Sequence, residues 1–519
     1  MAGPRIDLAA TDQLFGNDAA EDEAEEVFRA YAVDRDEVAG FADPLRRFCV
    51  ARAYKGEGKS ALLRLAAMRI GHDDHSPILI REQASAFGFA PTGSDFGAAV
   101  REWKRALLRR VGNEVGARIG FAWADDAMSL VEEAERQGFK ARTLFSAIVE
   151  RLPMKGKVPV GSVELELAAT KLGSPNPSAT VQRWLKGRDP VWLFIDDVDQ
   201  NFRNASEDKT RVAAFFVAGR EVTNVVPELK IRAAVRPNVW TTIKMEFEPL
   251  SHIEQYVTNL SWPEEAQRRL LAKRVEGYLR RTNQWEPTVA DLPTDQAERD
   301  KSLIRLVFMD PVAWGKTGAQ RPPHVMLHTL SKHRPRWLVE LCKVAAKVAS
   351  DRGASVIEKK DVLSELEAFG KRRIEDTVAE FRSQCPEIGE LLAAFNRERE
   401  EYSTDELLDV IKRKILEHLN PSITGVIGQP RALDVAAFLF EIGFLFGRRE
   451  FADGGYEHIS FSERPTLLRA RTAVDDGVRW EVHPVFRQAL EIRDSSGKEA
   501  SHVQRHLGAG VVVRKARSD

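Results

Sequence analysis

The stretch Ala53-Tyr54-Lys55-Gly56-Glu57-Gly58-Lys59-Ser60 constrains the fold of this chain more than any other. It follows the spacing Gly-x-x-x-x-Gly-Lys-Ser, with alanine in place of the first glycine. FCVARA, residues 48–53, reads as a buried strand leading into it, and SALLRLAAMRI as a helix leading out. Leu62, Leu63, Leu65, Ala66 and Ile70 give that helix one apolar face. A glycine-rich turn from strand to helix presents backbone N–H groups to an anion, and the first helical turn adds positive potential. In this setting Lys59 is expected to reach the β- and γ-phosphates of a nucleotide, and Ser60 to ligate Mg²⁺. Ala53, Lys55, Gly56, Glu57, Gly58 and Ala61 complete the expected cradle. The bland alternative is a chance glycine-rich turn, which the strand-before, helix-after context disfavours.

A second segment belongs to the same chemistry. VWLFI, residues 191–195, is a continuous apolar run that suits a strand buried on both faces of a parallel sheet. It ends in Asp196-Asp197-Val198-Asp199. An acid at the end of such a strand holds the metal side of a nucleotide site, so Asp196 is the expected Mg²⁺ partner beside Ser60. Asp197 is the candidate for polarising the attacking water, with Asp199 as an alternative. KIRAAV, residues 230–235, reads as the next strand and leads into Arg236-Pro237-Asn238. Arg334-Pro335-Arg336 opens a later helix. Arg236 and Arg336 are candidates to face a γ-phosphate; each could equally be a solvated arginine at a helix start.

Strands alternating with helices up to about residue 250 indicate an α/β domain. Residues 1–250 are therefore read as the nucleotide domain, a parallel sheet flanked by helices, with a helical insertion around 86–155. Residues 251–384 read as a helical lid, where Leu338, Leu341, Val344, Ala345 and Val348 fall at helical spacing. The Pro-, Asp- and Gly-rich stretch 287–325 reads as a long loop or an excursion. Residues 385–493 read as a winged-helix-like domain. Ser403 with Glu406 predicts a capping box. Asp475-Asp476-Gly477 predicts a hairpin between TLLRARTAV and VRWEVHP. Residues 494–519 read as a flexible tail.

The bulk numbers narrow the class. With 77 basic and 78 acidic residues, the net charge is -1, which argues against a globally basic nucleic-acid binder. Cys49, Cys342 and Cys385 give neither a metal knuckle nor a disulfide framework. The most apolar segment, Val435–Gly447, is interrupted by Glu441 and too short to span a bilayer. No signal peptide is read at the N-terminus, so a cytoplasmic protein without a membrane span is expected. No HExxH or paired Cys/His spacing indicates zinc, and no Gly-x-Ser-x-Gly element indicates a nucleophilic hydrolase.

The motif order resembles the AAA+/STAND side of the P-loop ATPases, a layout that origin-recognition-type initiators share. The carrying residues are the loop 53–60, Asp196-Asp197, Arg236, Arg334-Pro335-Arg336 and the winged-helix-like segment. The nine residues Phe15-Gly16-Asn17-Asp18-Ala19-Ala20-Glu21-Asp22-Glu23 further resemble an FGxxxAExE element of bacterial P-loop ATPases associated with phage-defence or mobile-element gene sets. That resemblance implies ATP/ADP switching, Mg²⁺, self-association and control of a partner effector, possessed by another chain since no effector motif is visible here. Arg220 and Arg236 are the candidates to act on a neighbouring subunit's nucleotide. A DNA-binding initiator or loader is the alternative, through the basic residues Arg101, Lys104, Arg105, Arg109, Arg110 and Arg118 and through Arg469, Arg471 and Arg479. A nucleotide-stabilised scaffold with little turnover is the third reading. More often a basic run of this kind is a solvated helix face.

Overall fold

The computed structural model describes residues 6–71, 77–88, 95–118, 177–315, 318–451, 456–468 and 477–493. By their contacts they fall into two compact units. One comprises Arg35–Tyr54 and Lys59–Leu260, and the other Met1–Asp34, Lys55–Gly58 and Ser261–Asp519.

The first unit is built on five strands: β1 (Phe48–Arg52), β2 (Ile78–Gln83), β3 (Val191–Asp196), β4 (Leu229–Val235) and β5 (Val257–Asn259). They form one parallel sheet in the order β2-β3-β4-β1-β5. The period-2 geometry of a strand sends successive side chains to opposite faces. Phe48, Val50, Leu193, Ile195, Ile231 and Ala233 accordingly join one core, with Trp103, Phe215 and Phe216 from the helices Phe96–Arg118 and Ser206–Val225. Cys49, Ala51, Trp192, Phe194 and Ala234 join the other, with Leu62, Leu63, Ala66 and Ile70 of the helix Lys59–Gly71. The all-apolar strand VWLFI thus feeds both cores, as a parallel strand covered by helices on both sides requires.

One buried charge is part of this core. Arg232 of β4 is fully buried and lies against the Trp192 ring, with its Cζ 4.7 Å from the centroid. Its guanidinium donates to the carbonyls of Phe41 at 2.6 Å, Arg46 at 2.7 Å, Asp43 at 2.9 Å and Ile231 at 3.0 Å. Burial pushes its pKa down to about 10. The arginine therefore ties the segment that follows the helix Asp36–Ala42 to the sheet by satisfying main-chain acceptors that strands cannot reach.

The second unit is largely helical. Its helices include Glu264–Arg281, Gln296–Arg305, Pro323–Leu330, Pro335–Asp351 and Leu366–Phe381. Strands β6 (Val312–Trp314) and β7 (Ala319–Arg321) form a small antiparallel pair. A four-stranded antiparallel sheet follows, of β8 (Glu401–Tyr402), β9 (Leu445–Glu450), β10 (Tyr456–Ile459) and β11 (Val478–Val482), in the order β10-β9-β11-β8. The helices Thr404–Ile411 and Ala432–Glu441 accompany it. The predicted capping box is present: Glu406 N donates to Ser403 Oγ at 3.3 Å, and Ser403 N to Glu406 Oε2 at 2.7 Å.

One expectation is corrected here. The stretch 287–325 is not a continuous loop. Asp295 caps the helix Gln296–Arg305 by accepting from Glu298 N, and β6 and β7 follow. Leu303, Ile304 and Val312 are buried, so tertiary burial outweighs the breaker-rich composition. Over 478–482 the partner of β11 is β9, and β8 pairs with it at Trp480 and Glu481. Residues 469–476 of the expected hairpin lie outside the described residues, as do 119–176 of the expected insertion and the tail 494–519.

Replacing Arg232 by methionine removes its hydrogen bonds to the carbonyls of Phe41, Asp43, Arg46 and Ile231. The expected cost is about 3 kcal/mol, read as a clear fall in the melting temperature. An unmoved transition would show that those carbonyls find other donors.

Candidate functional site

The glycine-rich turn starts where β1 ends. Ala53 N donates to Val235 O at 3.2 Å, extending the β1–β4 pairing to the turn itself. Gly56 has φ +83° and Gly58 φ +92°, left-handed conformations that side chains with a Cβ rarely adopt. Gly56 is required twice over, because a Cβ there would sit 3.1 Å from Cβ of Arg336. The helix begins at Lys59, so Lys59, Ser60 and Ala61 occupy its first turn. Lys59 folds back along the turn: its Nζ donates to Ala53 O at 3.0 Å and to Tyr54 O at 3.4 Å. An ammonium group held over a turn of backbone N–H groups is the arrangement that receives a phosphate chain.

The acidic cluster lies at the corresponding end of β3, with β4 between it and β1. Asp196 closes the strand and its Oδ1 accepts from Asp197 N at 2.9 Å. Asp197 has φ +52°, a sharp reversal that an aspartate tolerates better than most residues. Its carboxyl pKa is raised, first by burial and then by the charges of Asp196 and Asp199, while Lys59 and Arg236 pull it down. Asp199 is buried and committed elsewhere. Its Oδ2 accepts from Arg236 N at 2.7 Å and from Arg236 Nε at 2.9 Å, and its carbonyl accepts from Arg236 Nη2 at 2.6 Å. The structure thus gives Asp199 the work of fixing Arg236 at the end of β4, between the turn and the acids. As the alternative water-polarising acid, Asp199 is less suited than Asp197, since its carboxylate is occupied by an arginine.

A divalent cation held beside Asp196 would relieve the repulsion felt at Asp197. With only Ser60 and Asp196 as candidate protein ligands, the remaining positions would fall to phosphate oxygens and water, the usual habit of Mg²⁺. Among the described residues no group of three or more His, Cys, Asp or Glu side chains is arranged to hold a metal by itself.

The tip of the turn, Lys55–Gly58, belongs by its contacts to the second unit. Arg336 N donates to Gly56 O at 3.2 Å, and Trp262 Nε1 to Glu57 O at 2.8 Å. Lys55 N donates to Glu380 Oε1 at 2.9 Å, and Arg334 Nη1 to Lys55 O at 3.3 Å. Of these, Arg334 and Arg336 were visible in the sequence as a motif. Trp262 and Glu380 carry no sequence signal, because nothing in their spacing points to residues some 200 to 300 positions away.

The basic residues of the helix Phe96–Arg118 are extensively neutralised. Arg110 pairs with Glu82 at 2.6 Å and Glu114 at 3.0 Å, Lys104 with Glu221 at 2.8 Å, and Arg118 with Glu114 at 3.0 Å. Arg101 lies 3.9 Å from Asp95, and Arg105 and Arg109 are exposed. Arg479 pairs with Glu401 and Glu406. Arg220, in the helix Ser206–Val225, has a buried Nε without a hydrogen-bond partner among the described residues. No described helix is long and apolar enough to cross a membrane.

Fold and turn together define the class: an α/β P-loop core, a parallel sheet flanked by helices, followed by a largely helical part. No family model matches the chain, and no curated protein matches it. Solved structures do. Cdc6p from Pyrobaculum aerophilum is 11% identical, with 93% of this chain and 96% of that chain covered and a TM-score of 0.30. The Aeropyrum pernix ORC2 protein, solved as ADPNP–ADP complexes, is 10% identical, with coverage of 92% and 95% and a TM-score of 0.36. Drosophila ORC bound to DNA is 10% identical, with coverage of 94% and 92% and a TM-score of 0.30. Likeness at this level carries no argument about what this chain binds.

The carboxylate cluster makes a testable statement. A carboxyl whose pKa is raised in the folded state costs stability once pH exceeds that pKa, and nothing below the ordinary carboxylate range. Asp197→Asn should therefore raise the melting temperature of the nucleotide-free protein at neutral pH, and the gain should fade as pH drops through the range below neutrality toward 3.8. A gain of equal size at all pH values would instead reflect only the tolerance of asparagine for positive φ.

Proposed function

We propose that this protein binds ATP with Mg²⁺ and hydrolyses it. The observation that carries the reading is the joint placement of a Lys59-bearing glycine turn after β1 and an acid pair after β3, with Arg236 anchored between them at the end of β4. Ala53, Lys55, Gly56, Glu57, Gly58, Lys59, Ser60 and Ala61 form the cradle for the phosphates. Lys59 supplies positive charge to the β- and γ-phosphates. Ser60 and Asp196 hold Mg²⁺, which neutralises phosphate charge when bound. Asp197 accepts the proton of the attacking water, a role its raised pKa supports. Arg236, fixed by Asp199, faces the γ-phosphate, and Arg336 is the other candidate for that role.

On this reading residues 1–250 are the ATPase domain, 251–384 the lid and 385–493 a winged-helix-like domain. The output is an ATP-dependent switch for self-association or control of a partner effector. A setting in phage defence rests on the resemblance of Phe15–Glu23 alone. Arg220 and Arg236 are the two candidates to act on a neighbouring subunit's nucleotide, and the guanidinium of Arg236 is already held by Asp199. A DNA-binding initiator is the less favoured reading, because carboxylates already neutralise Lys104, Arg110, Arg118 and Arg479.

ATP at about 100 times its dissociation constant should stabilise the wild type by about 2.7 kcal/mol through linkage, and Lys59→Ala should abolish that shift. A Mg-ATP shift that survives Lys59→Ala overturns the phosphate assignment.

Asp197→Asn should retain ATP binding and slow hydrolysis by about 100-fold or more, the usual contribution of a general base. Wild-type turnover in Asp197→Asn, measured as phosphate release at saturating ATP, would place the base elsewhere.

A further inference from the structure

The main chain of the glycine turn is gripped at Lys55, one of the residues of the expected cradle. Lys55 is the third residue of the turn, and both of its peptide groups are engaged by one buried ion pair. Glu380, on the helix Leu366–Phe381, accepts from Lys55 N at 2.9 Å through Oε1 and from Arg334 Nη1 at 2.8 Å through Oε2. Arg334 returns a hydrogen bond to Lys55 O at 3.3 Å. The Glu380 and Arg334 side chains are 1% and 4% exposed, so neither charge has water to fall back on. The ring of Trp337 lies beneath the guanidinium, 4.7 Å from Arg334 Cζ.

We propose that Glu380 and Arg334 are positioning residues for the phosphate-binding turn. This rests on the reading of that turn as a nucleotide site. A carboxylate with one oxygen on an arginine and the other on a peptide N–H has no rotational freedom left. It fixes the plane of the Tyr54–Lys55 peptide, and Arg334 fixes the next one through Lys55 O. The two bonds set where the chain enters Gly56 and Gly58, whose left-handed conformations otherwise leave the turn many accessible shapes. A cradle held in its binding shape before the ligand arrives does not pay the ordering cost at binding. The pair acts through the backbone and touches no phosphate, so its contribution is to affinity for the diphosphate portion that ATP and ADP share.

The experiment compares wild type, Glu380→Gln and the double variant Arg334→Met/Glu380→Gln. Glutamine in the single variant cannot serve both partners, since its amide nitrogen must face either the guanidinium or the Lys55 N–H, donor against donor. In the double variant the guanidinium is gone, and the glutamine oxygen is free to accept from Lys55 N. Glu380→Gln should weaken ATP and ADP binding alike by about tenfold or more, the consequence of one buried donor left unpaired. The double variant should recover most of that loss. Amide hydrogen exchange in nucleotide-free protein provides a readout that needs no ligand: the Lys55 amide should be protected in wild type, exposed in Glu380→Gln and protected again in the double variant. Melting temperatures establish that each variant is folded, and a single variant that fails to fold leaves the double variant to be compared with wild type. Nucleotide affinities within twofold of wild type in folded Glu380→Gln, or an unprotected Lys55 amide in wild type, overturn the proposal. If wild type itself shows no nucleotide binding that Lys59→Ala removes, the ATPase reading and this role in it fall together. Exchange at Lys55 then still reports whether the ion pair holds the turn.

Discussion

Everything that the site can do depends on β4 lying between β1 and β3 in a parallel sheet. Parallel strands deliver their C-terminal ends to one edge, where loops rather than ladders meet. Pairing Phe48 with Ile231 and Leu193 with Ile231 from the other side brings the turn after β1 and the acids after β3 to that edge, one strand apart. The intervening strand then has to supply whatever stands between them. It supplies Arg236, and the sheet's two apolar cores hold all three strands against their helices.

Charge at that edge is balanced by design of the backbone as much as by side chains. Asp196 spends one oxygen on the Asp197 N–H, and Asp199 spends its carboxylate on Arg236. The carboxyl pKa of Asp197 is raised, first by burial and then by the charges of Asp196 and Asp199. The cluster is therefore costly without a cation. The same logic applies to Arg232 in the core and to Arg334 with Glu380. A buried charge persists when every donor and acceptor around it is occupied, and removal of one partner costs more than the pair contributes.

Much of this was legible in the linear chain. The spacing of Gly56, Gly58, Lys59 and Ser60 determined a strand-turn-helix with a phosphate-sized turn, because positive φ and close backbone approach need glycine. The apolar run 191–195 determined a strand covered on both faces, since a half-exposed strand of that length would show polar alternation. Ser403 and Glu406 determined a helix start, because the two hydrogen bonds of a capping box are local.

Tertiary structure decided what depends on distant partners. Composition made 287–325 look like a loop, and only burial of Leu303, Ile304 and Val312 shows why it is ordered. The described partners of β11, Leu445–Glu450 of β9 and Glu401–Tyr402 of β8, lie far off in sequence, beyond the reach of local patterning. Asp199 is set apart from Asp197 by a distant partner, Arg236, which takes up its carboxylate. Glu380 reads as one acid among many on a helix. Its place on the Lys55 N–H depends on a contact across 325 residues, which no local periodicity encodes.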